Sequence, residues 1–190
     1  MRNIVIKKMS LIAIFAALMF VVTAFLQIPL PGGAGYFHFG DVFVFVAAVA
    51  IDPLSGGIVG ALGGGLADLA SGYVNYLPFT IIIKFLLGII VGYFYRLFKK
   101  RRVIGYSGFM LGMIWNAAAY FGVDVLYFTW QAGVVNIIPN LVQGLSGAVL
   151  GILILELTKD FKLMRMDETS LPKKTSSSSE NEKENEKKPD

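Results

Sequence analysis

The fold of this chain is decided by the segment Tyr36–Gly92, which reads YFHFGDVFVFVAAVAIDPLSGGIVGALGGGLADLASGYVNYLPFTIIIKFLLGIIVG. Three apolar stretches run through it, and each carries one charged residue: Asp41, Asp68 or Lys84. A charged side chain inside a membrane-spanning helix costs roughly 3 kcal/mol on insertion scales, so it indicates a functional site by default. These three charges therefore mark the region where we expect function to lie.

The composition is that of a helical membrane protein. Of 190 residues, 55% are hydrophobic and 16% are charged, whereas soluble domains contain roughly 45–50% apolar residues. Much of the charge lies beyond residue 155, so the preceding chain is more apolar than these averages suggest. The chain has no cysteine, which excludes disulfides, thiolate metal sites and a cysteine nucleophile. The basic residues lie between apolar segments and in the tail, which argues against nucleic-acid binding.

Hydropathy predicts an all-α, polytopic membrane protein with six transmembrane helices in one domain, residues 1–160. The second segment is short for a full crossing, so we expect residues 36–39 to extend it or the segment to lie in a thin region. We expect the first helix to be an uncleaved span rather than a signal peptide. Residues 161–190 form a polar tail that we expect to be disordered. The predicted spans are approximately 9–28, 40–51, 54–71, 79–98, 106–127 and 134–157.

Small residues recur at helical spacing in the third span. Gly56, Gly60 and Gly64 lie four residues apart, and a second series contains Gly57 and Gly65. Such stripes allow neighbouring helices to approach closely. We therefore expect the third span to pack tightly against its neighbours.

The distribution of lysine and arginine predicts the orientation. With six alternating spans, three basic segments fall on one side, and the opposite loops contain no lysine or arginine. Both termini are therefore expected to be cytoplasmic, in a multi-pass protein of the cell membrane. The basic segments contain Arg2, Lys7, Lys8; Lys99, Lys100, Arg101, Arg102; and Lys159, Lys162, Arg165.

In this topology nearly all polar side chains within the spans fall in the outer half, and Asn116 is an exception in the inner half. Asn136, Asn140 and Gln143 share one face of the sixth span, and three amides facing lipid would be costly. The pattern predicts a cavity open to the outside that suits a planar, hydrogen-bonding small molecule. Its expected aromatic walls are Tyr36, Phe37, Tyr73, Tyr76, Tyr127 and Trp130.

Structural roles remain alternatives for several of these residues. An ion pair between Asp68 and Lys84, with or without a site beside it, is one such alternative. Asp41 and Asp124 could instead lie in the headgroup region and face water. The aromatic residues could instead form an interfacial belt. His38 is expected at the interface rather than as a ligand. One histidine without cysteine gives no transition-metal site, so we expect neither metal nor cofactor.

The sequence contains no P-loop, no H-E-x-x-H and no nucleophile elbow. Six spans without a catalytic set favour binding or transport over an enzymatic reaction. The alternatives that stay open are a stand-alone, proton-coupled secondary transporter of a small metabolite that uses Asp41 or Asp68 as a relay, and a membrane scaffold without a ligand.

Three motifs resemble one family across about residues 1–160. They are G-Y-F-H-F-G-D-V, D-P-x-x-G-G-I-V-G-x-x-G-x-x-L-A-D-L-x-S-G-Y and L-P-F-T-x-I-I-K-x-L-x-G-x-x-x-G. They resemble the S components, the substrate-binding membrane subunits, of energy-coupling factor (ECF) vitamin transporters, and above all the riboflavin-type group. Ala13-x-x-x-Ala17 in the first span matches the small-residue motif by which such S components dock on the coupling subunit.

The resemblance implies a six-helix vitamin-binding protein with its site near the outer surface. It also implies that the protein works with a transmembrane coupling subunit and two ATPase subunits. Lys84 and Asn140 are the expected ligand contacts, with Asp68 orienting Lys84. The vitamin stays open among riboflavin, pyridoxine, a pyrimidine precursor of thiamin and pantothenate. The full set of predicted substrate-binding residues is Tyr36, Asp41, Asp68, Tyr73, Tyr76, Lys84, Asn136, Asn140 and Gln143.

Overall fold

In the computed structural model, which describes residues 2–29 and 36–158, the chain forms six α-helices and one two-stranded hairpin. Five helices, all except α2, are long and apolar enough to cross a membrane. The predicted all-α membrane fold is thus confirmed, while the tail, residues 161–190, lies outside the described residues. The elements are α1 Arg2–Phe25, β1 Ile28–Pro29, β2 Tyr36–Phe37, α2 Asp41–Ala50, α3 Pro53–Ser71, α4 Leu77–Leu97, α5 Arg102–Tyr127 and α6 Trp130–Leu157.

The first helix ends earlier than predicted. α1 stops at Phe25, and Ile28 and Pro29 pair antiparallel with Phe37 and Tyr36. Proline has no backbone N–H to continue the helix, and it pushes the preceding residue toward extended backbone. Pro29 therefore changes the end of the predicted span into a strand, which pairs with the strand that precedes α2.

The short helix α2 is enclosed by the rest of the bundle. Its ten residues cover about 15 Å at 1.5 Å per residue, half of a bilayer core of about 30 Å. Residues 36–37 form a strand and do not extend the helix, contrary to one expectation. Val44, Phe45 and Ala47 are fully buried because α1, α3, α4 and α6 surround α2. The rest of the crossing is non-helical backbone, which is tolerated within the membrane where protein covers it.

Glycines bring α3 and α4 into close contact, as predicted. A Cβ atom added to Gly60 would lie 2.6 Å from the carbonyl oxygen of Lys84. One added to Gly88 would overlap the backbone of Gly56 and Gly57. At this crossing the two backbones touch, which fixes the position of Lys84 relative to α3.

The two ends of the bundle carry different polar groups. At the end where α1 and α3 begin, Lys8 pairs with Asp52 at 2.6 Å, and the side chain of Asp52 caps α3 by accepting the Ser55 N–H at 2.9 Å. At the opposite end, α3 ends at Ser71 and is capped by Gly72, whose φ of 82° lies in the left-handed region that favours glycine. This second end, where α2, α4 and α6 begin, contains the cavity described next.

Candidate functional site

A polar cavity lies among α3, α4, α5, α6 and the hairpin. Its volume is about 40 Å³. Seven of the nine predicted substrate-binding residues line it, and the other two, Asp41 and Asn136, are hydrogen-bonded to lining residues. The lining residues are Thr23, Tyr36, His38, Gly64, Asp68, Tyr73, Tyr76, Thr80, Lys84, Tyr120, Asp124, Asn140 and Gln143.

Lys84 is the centre of the deepest network. Its side chain is 0% exposed, and Nζ donates to Asp41 Oδ1 at 2.6 Å, to Asp41 Oδ2 at 2.9 Å and to Asn116 Oδ1 at 2.9 Å. An ammonium group has three protons, so these three acceptors use all of them. The alternative of an Asp68–Lys84 ion pair was therefore wrong, because Lys84 pairs with Asp41. Asn116, placed in the inner half by sequence, belongs to this network.

The network continues from Asp41 to the hairpin. Gln143 Nε2 donates to Asp41 Oδ2 at 3.0 Å, and Gln143 Oε1 accepts the backbone N–H of His38 at 3.3 Å. Gln143 thus joins α6 to the start of α2 and to the segment that precedes it.

His38 is buried rather than interfacial, contrary to the prediction, with 5% of its surface exposed. Its Nδ1 accepts the Gly40 N–H at 3.0 Å. Burial lowers the pKa of His38 to about 4; nearby Asp41 acts in the opposite direction, and Lys84 adds to the lowering. The imidazole is therefore neutral at pH 7 and adds no positive charge to the cavity.

A second network surrounds Asp124. Tyr76 donates its hydroxyl to Asp124 Oδ1 at 2.8 Å, and Asn136 Nδ2 donates to Asp124 Oδ2 at 3.1 Å. Asn140 Nδ2 donates in turn to the Asn136 carbonyl oxygen at 2.9 Å. Asp124 is buried, so neither Asp124 nor the equally buried Asp41 has the headgroup position considered as an alternative.

Asp68 differs from the other two carboxylates. Its Oδ1 accepts the Tyr36 hydroxyl at 2.8 Å. Its Oδ2 is buried and has no hydrogen-bond partner among the described residues. Beside it, the hydroxyls of Thr80 and Tyr120 lie 3.0 Å apart. The Thr80 hydroxyl also interacts with the Asp68 carboxylate, but Oδ2 has no partner within hydrogen-bond geometry and is an acceptor available in the cavity lining.

The aromatic wall differs in part from the prediction. The rings of Tyr36 and Tyr73 have centroids 4.9 Å apart, and Tyr76 follows at 6.2 Å from Tyr73. Phe37, Tyr127 and Trp130 do not line the cavity, and Trp130 is 62% exposed, a position typical of an interfacial residue. Their prediction as wall residues was wrong.

Sequence reasoning missed Thr80, Tyr120 and the contribution of Asn116, although a pattern could have revealed them. Polar residues four apart lie on one face of a helix. Such stripes occur in α4 and in α5 and face each other across the cavity. They are Tyr76, Thr80, Lys84 and Asn116, Tyr120, Asp124.

The cavity is suited to binding rather than to metal chemistry. Within residues 2–29 and 36–158, no three histidine, cysteine, aspartate or glutamate side chains lie close enough to hold a metal ion. The groups that line it are tyrosine rings, hydroxyls, amides and carboxylates. Such groups stack on flat rings and exchange hydrogen bonds with them.

Fold and cavity together define a polytopic helical membrane protein with a polar cavity at one end. Residues 3–160 match the family model described as "ECF-type riboflavin transporter, S component". The chain belongs to this family of ECF-type vitamin transporter S components, whose members are transporter subunits and not enzymes.

Two relatives are similar over most of their lengths. The "Thiamine precursor transporter HmpT" of Lactococcus lactis subsp. cremoris (strain MG1363) is 31% identical over 151 residues, which are 79% of this chain and 86% of the relative. A protein of Pyrococcus woesei described as an "Uncharacterized protein in gap 3'region" is 34% identical over 132 residues, 69% of this chain and 87% of the relative. The family model and HmpT are thus described with different substrates.

Proposed function

We propose that this chain is the high-affinity vitamin-binding S component of an ECF-type importer. It captures a small B-vitamin-like molecule at the extracellular face and delivers it inward with a transmembrane coupling subunit and two ATPase subunits. The observation that carries the proposal is the polar, tyrosine-lined cavity at one end of the helical bundle. The family membership supports the same assignment.

The distribution of charge supports an outward-facing cavity. The basic residues Lys99, Lys100 and Arg101 lie between α4 and α5, at the end of the bundle away from the cavity. By the positive-inside rule that end is cytoplasmic. The cavity then opens toward the outside, and both termini are cytoplasmic.

The cavity dimensions favour a small ring as the substrate. Ligand pockets commonly hold about 300–1,000 Å³, whereas this cavity has a volume of about 40 Å³, so its walls must move to admit any vitamin. A single heteroaromatic ring needs less rearrangement here than the three fused rings of riboflavin. Together with the description of HmpT as a thiamine precursor transporter, this favours a pyrimidine precursor of thiamin.

The nine predicted substrate-binding residues have two proposed roles. Those proposed to face the substrate are Tyr36, Asp68, Tyr73, Tyr76 and Asn140. The others, Asp41, Lys84, Asn136 and Gln143, are proposed to hold the walls in place through the hydrogen bonds described above.

The surface of α1 supports docking of the coupling subunit at Ala13 and Ala17. Both alanines are exposed, whereas Phe15, Ala16 and Met19 face the bundle. Two small residues one turn apart on a free helix face leave a shallow groove in which a partner helix can pack closely.

The substrate is tested by mass spectrometry of small molecules that co-purify with the protein, followed by thermal unfolding with each candidate. A ligand that binds only the folded state raises its stability, by about 2.7 kcal/mol at one hundred times Kd. We expect the pyrimidine precursor of thiamin to raise Tm more than riboflavin does. A larger effect of riboflavin would assign the substrate to riboflavin instead.

The docking surface is tested by Ala13→Trp, which fills the proposed groove. We expect loss of co-purification with the coupling subunit and unchanged ligand binding, because Ala13 lies outside the cavity lining. Val149→Trp on α6 is the control, since Val149 is an exposed apolar residue on another helix. Normal assembly of Ala13→Trp would refute the docking surface.

A stand-alone, proton-coupled transporter is the second candidate, favoured by the buried carboxylates Asp68 and Asp124. Uptake into cells separates the two functions. The ECF function requires active partner ATPases, whereas a proton-coupled carrier works without them and stops when the proton gradient collapses.

A further inference from the structure

The hydrogen bonds around the cavity leave one strong acceptor unused. Lys84 uses its three protons on Asp41 and Asn116. Both oxygens of Asp41 and both oxygens of Asp124 accept hydrogen bonds. Among the carboxylate oxygens of the cavity region that the structure describes, only Asp68 Oδ2 has no partner. Two other buried polar atoms, on Gln27 and Asn116, also lack partners, but neither residue lines the cavity.

This unused acceptor is buried in the cavity lining. Asp68 is 4% exposed, so bulk water gives it little hydrogen bonding. A buried polar atom without a partner costs free energy, and the cost is larger for a charged group. The cost is recovered when a bound molecule brings a donor to that atom. Asp68 Oδ2 is therefore an acceptor that is available to a ligand.

The charges of the cavity point to the same kind of ligand. Asp41 is neutralised by Lys84, whereas Asp68 and Asp124 belong to no ion pair in the described part of the chain. His38 is neutral at pH 7 for the reason given above. The oxygens of an anionic ligand would thus face the acceptor oxygens of Asp68 and Asp124, with no cation among the described lining residues free to pair with them.

We propose that Asp68 is the specificity-determining residue of this site: its Oδ2 accepts an N–H of a neutral or cationic heteroaromatic ligand, and the site excludes carboxylate and phosphate anions. The inference rests on the proposed vitamin-binding function and extends it. It excludes pantothenate, whose carboxylate would face Asp68 and Asp124. It fits an aminopyrimidine, whose exocyclic amino group is a donor beside a flat ring that the Tyr36 and Tyr73 rings can contact.

The experiment measures Kd for four probes on the full chain in detergent. They are 4-amino-5-hydroxymethyl-2-methylpyrimidine, its analogue with hydrogen in place of the amino group, nicotinate and pantothenate. For the unmodified chain we expect the amino compound to bind about 10- to 100-fold more tightly than the analogue without the amino group, the range for a hydrogen bond to a charged group. We expect no measurable binding of the two anions.

The variants Asp68→Asn and Asp124→Asn distinguish the effect of the free acceptor oxygen on binding from the effect of net charge. Each variant removes one negative charge, but only Asp68 has a free oxygen in the cavity. We expect the ratio of the two Kd values, which measures the preference for the amino compound, to fall close to one in Asp68→Asn. In Asp124→Asn we expect this ratio to be retained. Equal ratios in the two variants would overturn the proposal.

Other outcomes are also decisive. If Asp68→Asn does not fold, the unmodified chain still tests the inference. Equal Kd values for the amino compound and the analogue without the amino group, or tight binding of an anion, would overturn it. Binding of the amino compound without any effect of Asp68→Asn would reject the role of Asp68 and leave the proposed function intact. Absence of binding by all four probes, with riboflavin and pyridoxine also inactive, would reject the proposed function and the role of Asp68 with it.

Discussion

Lys84 shows how one residue can organise a membrane interior. Its ammonium joins α4 to α2 through Asp41 and to α5 through Asn116, and the Tyr120 ring centroid lies 5.3 Å from Nζ. A buried ion pair is not by itself evidence of stability, because removing two charges from water costs several kcal/mol. Removing one partner of the pair is nevertheless strongly destabilising, since the remaining charge stays buried without a partner.

Lys84→Met is therefore expected to destabilise the protein by about 3–5 kcal/mol, because it leaves the Asp41 carboxylate unpaired. The measurement is unfolding of the purified chain in detergent, by denaturant or heat. Adding Asp41→Asn should recover part of the loss, which a double-mutant cycle quantifies.

The control is Lys100→Met, which removes an exposed lysine outside the cavity and should leave stability nearly unchanged. An Lys84→Met variant as stable as the unmodified chain would show that the ion pair has no structural role.

Among the helices, the crossing of α3 and α4 holds the cavity lining most tightly. Gly56 and Gly57 on α3 face Gly88 on α4, and no space for a Cβ atom remains at Gly88. Since Asp68 lies on α3 and Thr80 and Lys84 on α4, this contact sets the distances between residues that line the cavity.

Gly88→Ala is expected to lower the free energy of unfolding by about 1–3 kcal/mol, because the added methyl group pushes two backbones apart. We also expect weaker ligand binding, since α4 moves relative to α3. Both effects are measured by thermal unfolding with and without ligand.

Gly122→Ala is the matched control. Gly122 lies within α5 and has no heavy atom within 4 Å of an added Cβ. Alanine is favoured over glycine in a helix by about 1 kcal/mol, so stability should stay equal or rise. Equal losses in the two variants would contradict the role of the α3–α4 contact.

At the scale of the whole molecule, polarity and charge are divided between the two ends. The buried hydrogen-bond networks lie where α2, α4 and α6 begin, and the basic segment 99–102 lies at the other end. By the positive-inside rule, this division indicates which side of the membrane the cavity faces. It is the basis for proposing capture from outside and delivery inward.

The orientation can be measured cleanly because the chain has no cysteine. Asn75 is exposed between α3 and α4, and Lys100 is exposed between α4 and α5. A membrane-impermeant maleimide added to intact cells is expected to label Asn75→Cys and to leave Lys100→Cys unlabelled. After the cells are permeabilised, both should react. Labelling of Lys100→Cys alone in intact cells would reverse the proposed topology.

Much of the fold was predictable from the sequence because the bilayer limits the possible structures. A chain that crosses hydrocarbon must satisfy its backbone internally, so long apolar segments become helices. Five predicted spans and the short α2 follow from this rule, and the glycine spacing of α3 predicted its close packing. The same cost predicted that the charged residues of the spans would avoid lipid, and Asp41, Asp68 and Lys84 are buried.

The pairing of these groups was decided only by the tertiary structure. Helical periodicity gives the face on which a residue lies, but neither the rotation nor the depth of one helix relative to another. Those depend on close packing, here on the contacts of Gly56 and Gly57 with Gly88 and on the enclosure of α2. Hence only the tertiary structure shows that Lys84 pairs with Asp41, that His38 is buried and that one oxygen of Asp68 has no hydrogen-bond partner.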